Sequence, residues 1–391
     1  MASENNQFHE LIPLSIPHIA GNEWKYVKDC LDTGWVSSVG SYVNQFEEDF
    51  ANVTETSHAV ACVNGTAALH TALITCGVNP GDQVLVSNLT FIASANSISH
   101  AGATPIFIDA EPDYWQINPT EAENYLRNEC QMVNGESIHR SSGQRVKAIM
   151  PVHILGNPVD MDPILTLAKE FNLTVIEDAT ESLGATYKGK PVGSLGDMAA
   201  FSFNGNKLIS TGGGGMITTN NPALAQRAKH LTTTAKIEPI EFIHDEIGYN
   251  YRLVNLLAAV GVAQLEQLPA FLAKKQEITS WYAELLGDHP GIQLMPEPAY
   301  GTSAKWLYTI RLRNNHWKPI YEFLAGKNIQ TRPLWQPMHE SPAYSQLNNR
   351  NCPISELLQT HCLSIPCSVN LTKSQAEHVA TQLKLALTQV K

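Results

Sequence analysis

Two ionisable residues near the middle of the chain, Asp178 and Lys207, stand where they could act on one molecule. An apolar run, Leu173 to Ile176, reads as a buried strand and delivers Asp178 at its carboxyl end, the rim on which open α/β sheets place ligand groups. A second apolar run, Met198 to Phe203, ends shortly before Lys207, and four consecutive glycines, Gly212 to Gly215, follow. Glycine tolerates positive φ and lets backbone approach a bulky group closely. A lysine in a dry pocket can lose its proton and attack a carbonyl, and an aspartate nearby could keep a pyridinium nitrogen protonated. These are the parts of a pyridoxal phosphate site. Each residue alone has a plainer reading, since a single lysine is ordinarily a solvated surface charge. Gly205-Asn206-Lys207 superficially suggests a nucleotide phosphate loop, but the G-x-x-x-x-G-K-[ST] spacing is absent.

A phosphate needs its own donors. Val60 to Val63 reads as a strand that gives way at Asn64-Gly65-Thr66 to a helix rich in small residues. Exposed N–H groups at a helix start, a glycine that permits close approach and a threonine hydroxyl make an anion site. Hydrogen bonds to a charged group are worth about 1.5–3 kcal/mol each, against about 0.3–1 kcal/mol for the helix dipole, so donors would hold it. Simple N-capping by Asn64 or Thr66 is the alternative. Phe91, at another helix start, could stack on a planar ring or belong to the core.

These stretches resemble the sugar aminotransferases of the DegT/DnrJ/EryC/StrS family, pyridoxal phosphate enzymes of the aspartate aminotransferase fold (fold type I). Besides the segment from Val175 to Gly215, the resemblance is carried in order by Gly34 to Ser38, Asn64 to Leu69, Thr90 to Asn96, Pro151 to His153 and Gly248 to Arg252, over nearly the whole chain. It implies catalytic roles for Lys207 and Asp178, and cofactor contacts from Gly65, Thr66, Phe91, Glu181 and Ser202. It further implies that Asn250 reaches the phosphate bound by a neighbouring subunit, which makes a homodimer with shared sites. Trp35, Arg252 and His339 are candidate contacts to the acceptor, each equally open to a structural role. The implied donor is L-glutamate and the implied acceptor a nucleotide-linked keto sugar. The opening Ile12 to Val43 looks most like the aminotransferases of legionaminic acid pathways, which implies a UDP-linked 4-keto-6-deoxy-N-acetyl-hexose. Two rivals remain: a dehydratase branch of the family, in which a histidine replaces the lysine, and a non-catalytic regulatory or binding protein.

Alternating strands and helices, from Val60 through Phe203, must position these residues, and that alternation predicts a mostly parallel sheet covered on both faces. The expected organisation is α/β: an arm over residues 1–20, a large cofactor-binding domain over 21–268 and a smaller C-terminal α+β domain over 269–391. Residues 130–144 read as a polar surface insertion. At 391 residues, 43% hydrophobic and 16% charged, the composition is that of a globular protein. With 26 basic against 37 acidic residues, a net charge of −11 and no basic block, nucleic acid is excluded as the expected main partner. Seven scattered cysteines without a C-x-x-C pair argue against a disulfide framework or a metal site, the loose group Cys352, His361, Cys362 and Cys367 included. The polar N-terminus does not read as a signal peptide and no apolar run approaches a membrane span, so a cytoplasmic enzyme is expected.

Overall fold

A computed structural model describes residues 10–238, 240–347 and 350–389. Nine strands build the main sheet: β1 (His58–Cys62), β2 (Gln83–Ser87), β3 (Thr104–Ile108), β4 (Cys130–Val133), β5 (Glu136–His139), β6 (Arg145–Met150), β7 (Thr174–Asp178), β8 (Met198–Ser202) and β9 (Gly215–Thr219). Their order is β1-β9-β8-β7-β6-β2-β3, with β5 beside β6 and β4 beside β5. From β8 through β3 the pairings are parallel, and β9 runs antiparallel to both β8 and β1. Residues of β2 and β7 are buried almost without a break, as strands covered on both faces require. Within residues 130–144, read from the sequence as a polar surface insertion, the chain forms the β4–β5 hairpin, paired through Ser137 and Ile138 to β6. Its alternation is too short and polar to stand out, and the edge of β6 supplies the missing half of the ladder.

The helices are α1 (Glu23–Thr33), α2 (Ser41–Val53), α3 (Gly65–Thr75), α4 (Ala93–His100), α5 (Pro119–Glu129), α6 (Met161–Glu170), α7 (Pro222–Thr232), α8 (Asn255–Glu266), α9 (Leu268–Leu286), α10 (Trp317–Ala325), α11 (Pro353–His361) and α12 (Lys373–Gln389). Two of them, α3 and α8, are buried on nearly every side, which explains their alanine- and glycine-rich sequences. No single helix among the described residues is long and apolar enough to cross a membrane, and α8 with α9 reaches that length only across a 57° bend.

Four further strands, β10 (Ile292–Gln293), β11 (Tyr308–Leu312), β12 (Arg332–Pro333) and β13 (Cys362–Ile365), form a small antiparallel sheet in the order β10-β11-β13-β12. The expected N-terminal arm, whose residues 1–9 lie outside the described part, is stitched to this sheet's surroundings. Ile12 bridges Ile329, Leu14 N–H donates to Gln330 Oε1 at 3.0 Å, and Cys367 N–H donates to Leu14 O at 2.8 Å. Large and small sheets are tied where β3 ends: Asp109 accepts from Ile354 N, Ser355 N and Ser355 Oγ, capping α11.

Candidate active site

The strand order determines what meets at the rim. In the ladder, Ala200 of β8 lies beside Asp178, while Gly215 lies between Ser202 and Cys62. The carboxyl ends of β1, β7 and β8 therefore open on one edge, and with them Asn64-Gly65, Asp178 and Ser202. A side chain at Gly215 would press its Cβ to 2.6 Å from the carbonyl of Asn64, so the last of the four glycines is needed for backbone to pass backbone. The loop before it closes on itself, with Thr211 N–H bonded to Phe203 O and Phe203 N–H to Gly214 O, and it carries Lys207 on its turn.

Asp178 is buried, and its carboxylate is oriented by Ser94 Oγ at 2.7 Å and Thr180 N–H at 3.2 Å. Ser94, on α4, is a partner that sequence spacing did not single out. Glu181 is also buried; its Oε2 accepts from Leu155 N–H at 2.8 Å and its Oε1 lies 3.8 Å from Lys207 Nζ. Burial pushes the Glu181 carboxyl up to about 7, against the attraction of the Lys207 ammonium. Burial pulls Lys207 below the usual lysine value, opposed by Glu181 and Asp178 and assisted by Arg332. The face of Trp306 covers Nζ at 3.8 Å from the ring centroid.

A cavity of about 610 Å³ is lined by Gly65, Thr66, Phe91, Glu181, Ser202 and Lys207, together with Asn64, Thr180, Asn204, Asn206, Trp306, Arg332 and Trp335. Asn64 caps α3 by accepting from Ala67 N–H, so the capping reading holds for Asn64 while Gly65 and Thr66 still face the cavity. A Cβ on Gly65 would stand 2.8 Å from the Ser202 Cβ and 3.2 Å from its hydroxyl, which shows how closely the two residues enclose the same space. Backbone donors at a helix start, a serine hydroxyl, and a lysine over which an aromatic ring lies together suit a flat aldehyde bearing one phosphate. Phe91 is half exposed at the mouth rather than in the core.

Trp306, Arg332 and Trp335 come from the small sheet's region and were not legible as site residues. Trp306 and Trp335 stack with centroids 6.3 Å apart, and Trp306 Nε1 donates to Asn206 O at 2.7 Å, pinning the residue before Lys207. A tryptophan at the start of a strand-like run carries no spacing signal that sets it apart from core.

The candidate acceptor contacts are not brought to this cavity within the chain. Arg252 is buried in an ion pair with Glu47 and also donates to Ala61 O at 3.3 Å. Glu47, on α2, needs the cation because its oxygens are also buried against Ala61 N–H. His339 is buried between Asn88, 3.0 Å from its Nδ1, and Glu356, 3.1 Å from its Nε2, and it borders a separate cavity of about 300 Å³. Trp35 is exposed, in a loop whose carbonyl is held by Asn255 Nδ2 at 2.7 Å. Asn250 is exposed and bridges Thr233, away from its own chain's cavity.

Comparison with known proteins agrees with this geometry. The DegT/DnrJ/EryC1/StrS aminotransferase family model matches residues 17–384. The GDP-perosamine synthase of Caulobacter vibrioides is 40% identical, over 96% of this chain and 98% of that protein. The putative pyridoxal phosphate-dependent aminotransferase EpsN of Bacillus subtilis is 38% identical, over 95% of this chain and 94% of that protein. Among solved structures, the aminotransferase TlmJ from Streptoalloteichus hindustanus superposes with a TM-score of 0.88 at 26% identity, covering 97% of this chain and 99% of that one. A lysine, a buried aspartate and an open helix start on one rim are thus found in a chain that belongs to the DegT/DnrJ/EryC1/StrS aminotransferase family, and it is a pyridoxal phosphate-dependent aminotransferase of fold type I.

Proposed function

We propose that this enzyme transfers an amino group from L-glutamate to a nucleotide-linked keto sugar. The observation that carries the reading is the convergence of Lys207, Ser202 and the Gly65–Thr66 helix start on one cavity of about 610 Å³, with Asp178 buried at the strand end on the same rim. Bound there, pyridoxal phosphate supplies an electron sink for charge at the carbon that carries the amine. The chain's own residues do the rest. Gly65 and Thr66 N–H groups with Ser202 Oγ would hold the phosphate, and Phe91 would cover the ring. Asp178, held by Ser94 and Thr180, would keep a proton on the ring nitrogen. Lys207 would hold the aldehyde carbon covalently, then take the proton from the substrate carbon at Nζ once displaced. Trp306 and Trp335 would shield that transfer from water.

A nucleotide-linked sugar is supported by the relative from Caulobacter vibrioides, which is named a GDP-perosamine synthase. The UDP-linked 4-keto-6-deoxy-N-acetyl sugar of legionaminic pathways stays the alternative acceptor. With pyridoxal phosphate added, the purified protein is expected to show a visible absorption band that bleaches with glutamate. Offering GDP- and then UDP-linked 4-keto-6-deoxy sugars should restore it. A band indifferent to glutamate would sink the donor, and restoration by neither sugar class would sink the acceptor.

The same reading includes a homodimer with shared sites. Asn250 and Trp35 have no part in their own chain's cavity, and exposed apolar side chains concentrate in α1 with its following loop and at Ile240, Phe242, Ile243 and Ile247. Trp24 is 79% exposed, Ile240 84% and Ile247 87%, surfaces that a soluble chain ordinarily covers. Free, buried cysteines fit a reducing compartment, in keeping with a cytoplasmic enzyme. Mixing Asn250→Ala with Lys207→Ala chains is expected to restore up to about a quarter of wild-type turnover per site, because one site in a mixed dimer escapes both changes. Mixed dimers, verified by mass, that stay inactive would assign Asn250 to its own chain's site.

A further inference from the structure

Two buried glutamates lie four residues apart, and their surroundings differ in a telling way. Glu177 is surrounded by donors: His153 Nε2 at 3.0 Å and the N–H groups of Gly193, Leu195 and Gly196 at 2.7–2.8 Å. Glu181, also buried, receives one hydrogen bond, from Leu155 N–H, and turns its other oxygen toward Lys207. At 3.8 Å that oxygen is within ion-pair reach of Nζ and beyond a hydrogen bond. The other charges facing the pair are Asp178, from the end of β7, and Arg332, from β12. Asp178 is already committed to Ser94 and Thr180. Trp306, on the lysine's open side, stabilises a cation on its face but accepts no proton.

We propose that Glu181 is a positioning residue for the proton of Lys207, and that it sets the pH range over which the lysine offers a neutral amine to a carbonyl. The step is a proton transfer: an N–H bond at Nζ breaks, an O–H bond at Oε1 forms, and a buried ion pair becomes two neutral groups with no change in net charge. Burial narrows the gap between the ion pair and the neutral pair, because it pushes Glu181 up and Lys207 down, toward each other. While Glu181 is ionised it holds the lysine as ammonium. Once it is protonated or removed, nothing of negative charge but Asp178 opposes the loss of the lysine proton. The inference rests on Lys207 being the lysine that takes the cofactor, yet it concerns the chain's own two groups.

The test is made on the full-length protein freed of cofactor, by labelling with acetic anhydride from pH 5 to 10 and following the Lys207 peptide by mass spectrometry. An opposite charge at this distance changes the neutral fraction of an amine by about ten- to a thousandfold. Lys207 should therefore be acetylated at least about tenfold faster at pH 7 in Glu181→Gln than in the wild type, with Glu181→Asp close to wild type and surface lysines unchanged. Superimposable pH profiles in wild type and Glu181→Gln would overturn the proposal. If Glu181→Gln does not fold, Lys207→Met decides. Coupling is reciprocal, so loss of the cation should raise the pH at which the Glu181 carboxyl titrates by difference infrared spectroscopy. An unmoved carboxyl would overturn the proposal just as firmly. Failure of the cofactor reading shows separately, as no visible band in wild type with added pyridoxal phosphate.

Discussion

Lys207→Ala is expected to abolish formation of 2-oxoglutarate from glutamate in the presence of pyridoxal phosphate, by about 10⁴-fold or more. General-base catalysis alone accounts for roughly 10²–10⁴, and on the proposed mechanism the same side chain would also hold the aldehyde carbon. The fold should survive. Lys207 Nζ has no hydrogen bond that the architecture depends on, only an ion pair at 3.8 Å with Glu181 and the face of Trp306. Its removal leaves Glu181 buried beside an empty space, but a carboxyl already pushed up to about 7 takes a proton at little cost. Circular dichroism and melting temperature should therefore stay near wild type while turnover disappears. Wild-type turnover in a well-folded Lys207→Ala protein would remove this lysine from the mechanism.

Glu177→Ala is the counterpart, a large effect on stability from the residue directly before Asp178. Glu177 has no exposed surface, and it satisfies an imidazole and three backbone N–H groups. Val159 N–H donates to His153 Nδ1, which assigns the proton of the neutral ring to Nε2 and so to Glu177. Truncation leaves these donors buried and unpaired. Each buried donor left unpaired costs about 1–3 kcal/mol, so the total is a large share of the usual 5–15 kcal/mol of folding free energy. Urea unfolding should show a midpoint shifted accordingly with an unchanged slope, and a change below about 1 kcal/mol would contradict this account.

The pH dependence has a definite sign. Burial alone would raise the Glu177 pKa, but His153 and the backbone donors of Gly193 and Gly196 outweigh it and hold the group below its ordinary 4.5. A carboxylate whose folded value is depressed contributes stability that is present above the unfolded value and lost as pH falls through the folded one. The wild type should lose this contribution in acid, below about pH 4.5, and Glu177→Gln should show a shallower acid limb because it has no proton to bind.

What could be read along the chain and what could not divide along a physical line. Asp178, Lys207 and Gly65 stood out because each sits at a change of pattern, where a run of apolar residues ends and backbone direction must change, whereas Ser202 was pointed to only by the family resemblance. The alternation of strand and helix also implied that such ends would gather on one rim. The β4–β5 hairpin was not legible, because its pairing energy comes from an edge that forms elsewhere. Arg252 and His339 illustrate the harder limit. Both were candidate acceptor contacts equally open to a structural role, and both have buried partners, Glu47 and Asn88, which are 205 and 251 residues away in sequence. Conversely Trp306, Arg332 and Trp335 reach the cavity from a different sheet, with no local pattern to announce them.

The sequence by itself therefore determined the residue types available and the backbone that carries them: a lysine on a glycine-rich turn, a carboxylate at a strand end, and a helix start with open N–H groups. These depend on residue type and on spacings of a few positions. Only the tertiary structure decided which charges remain free to act. A buried charge must find its counterpart wherever the packed chain brings one, so Glu47 claims Arg252 while Glu181 is left facing Lys207.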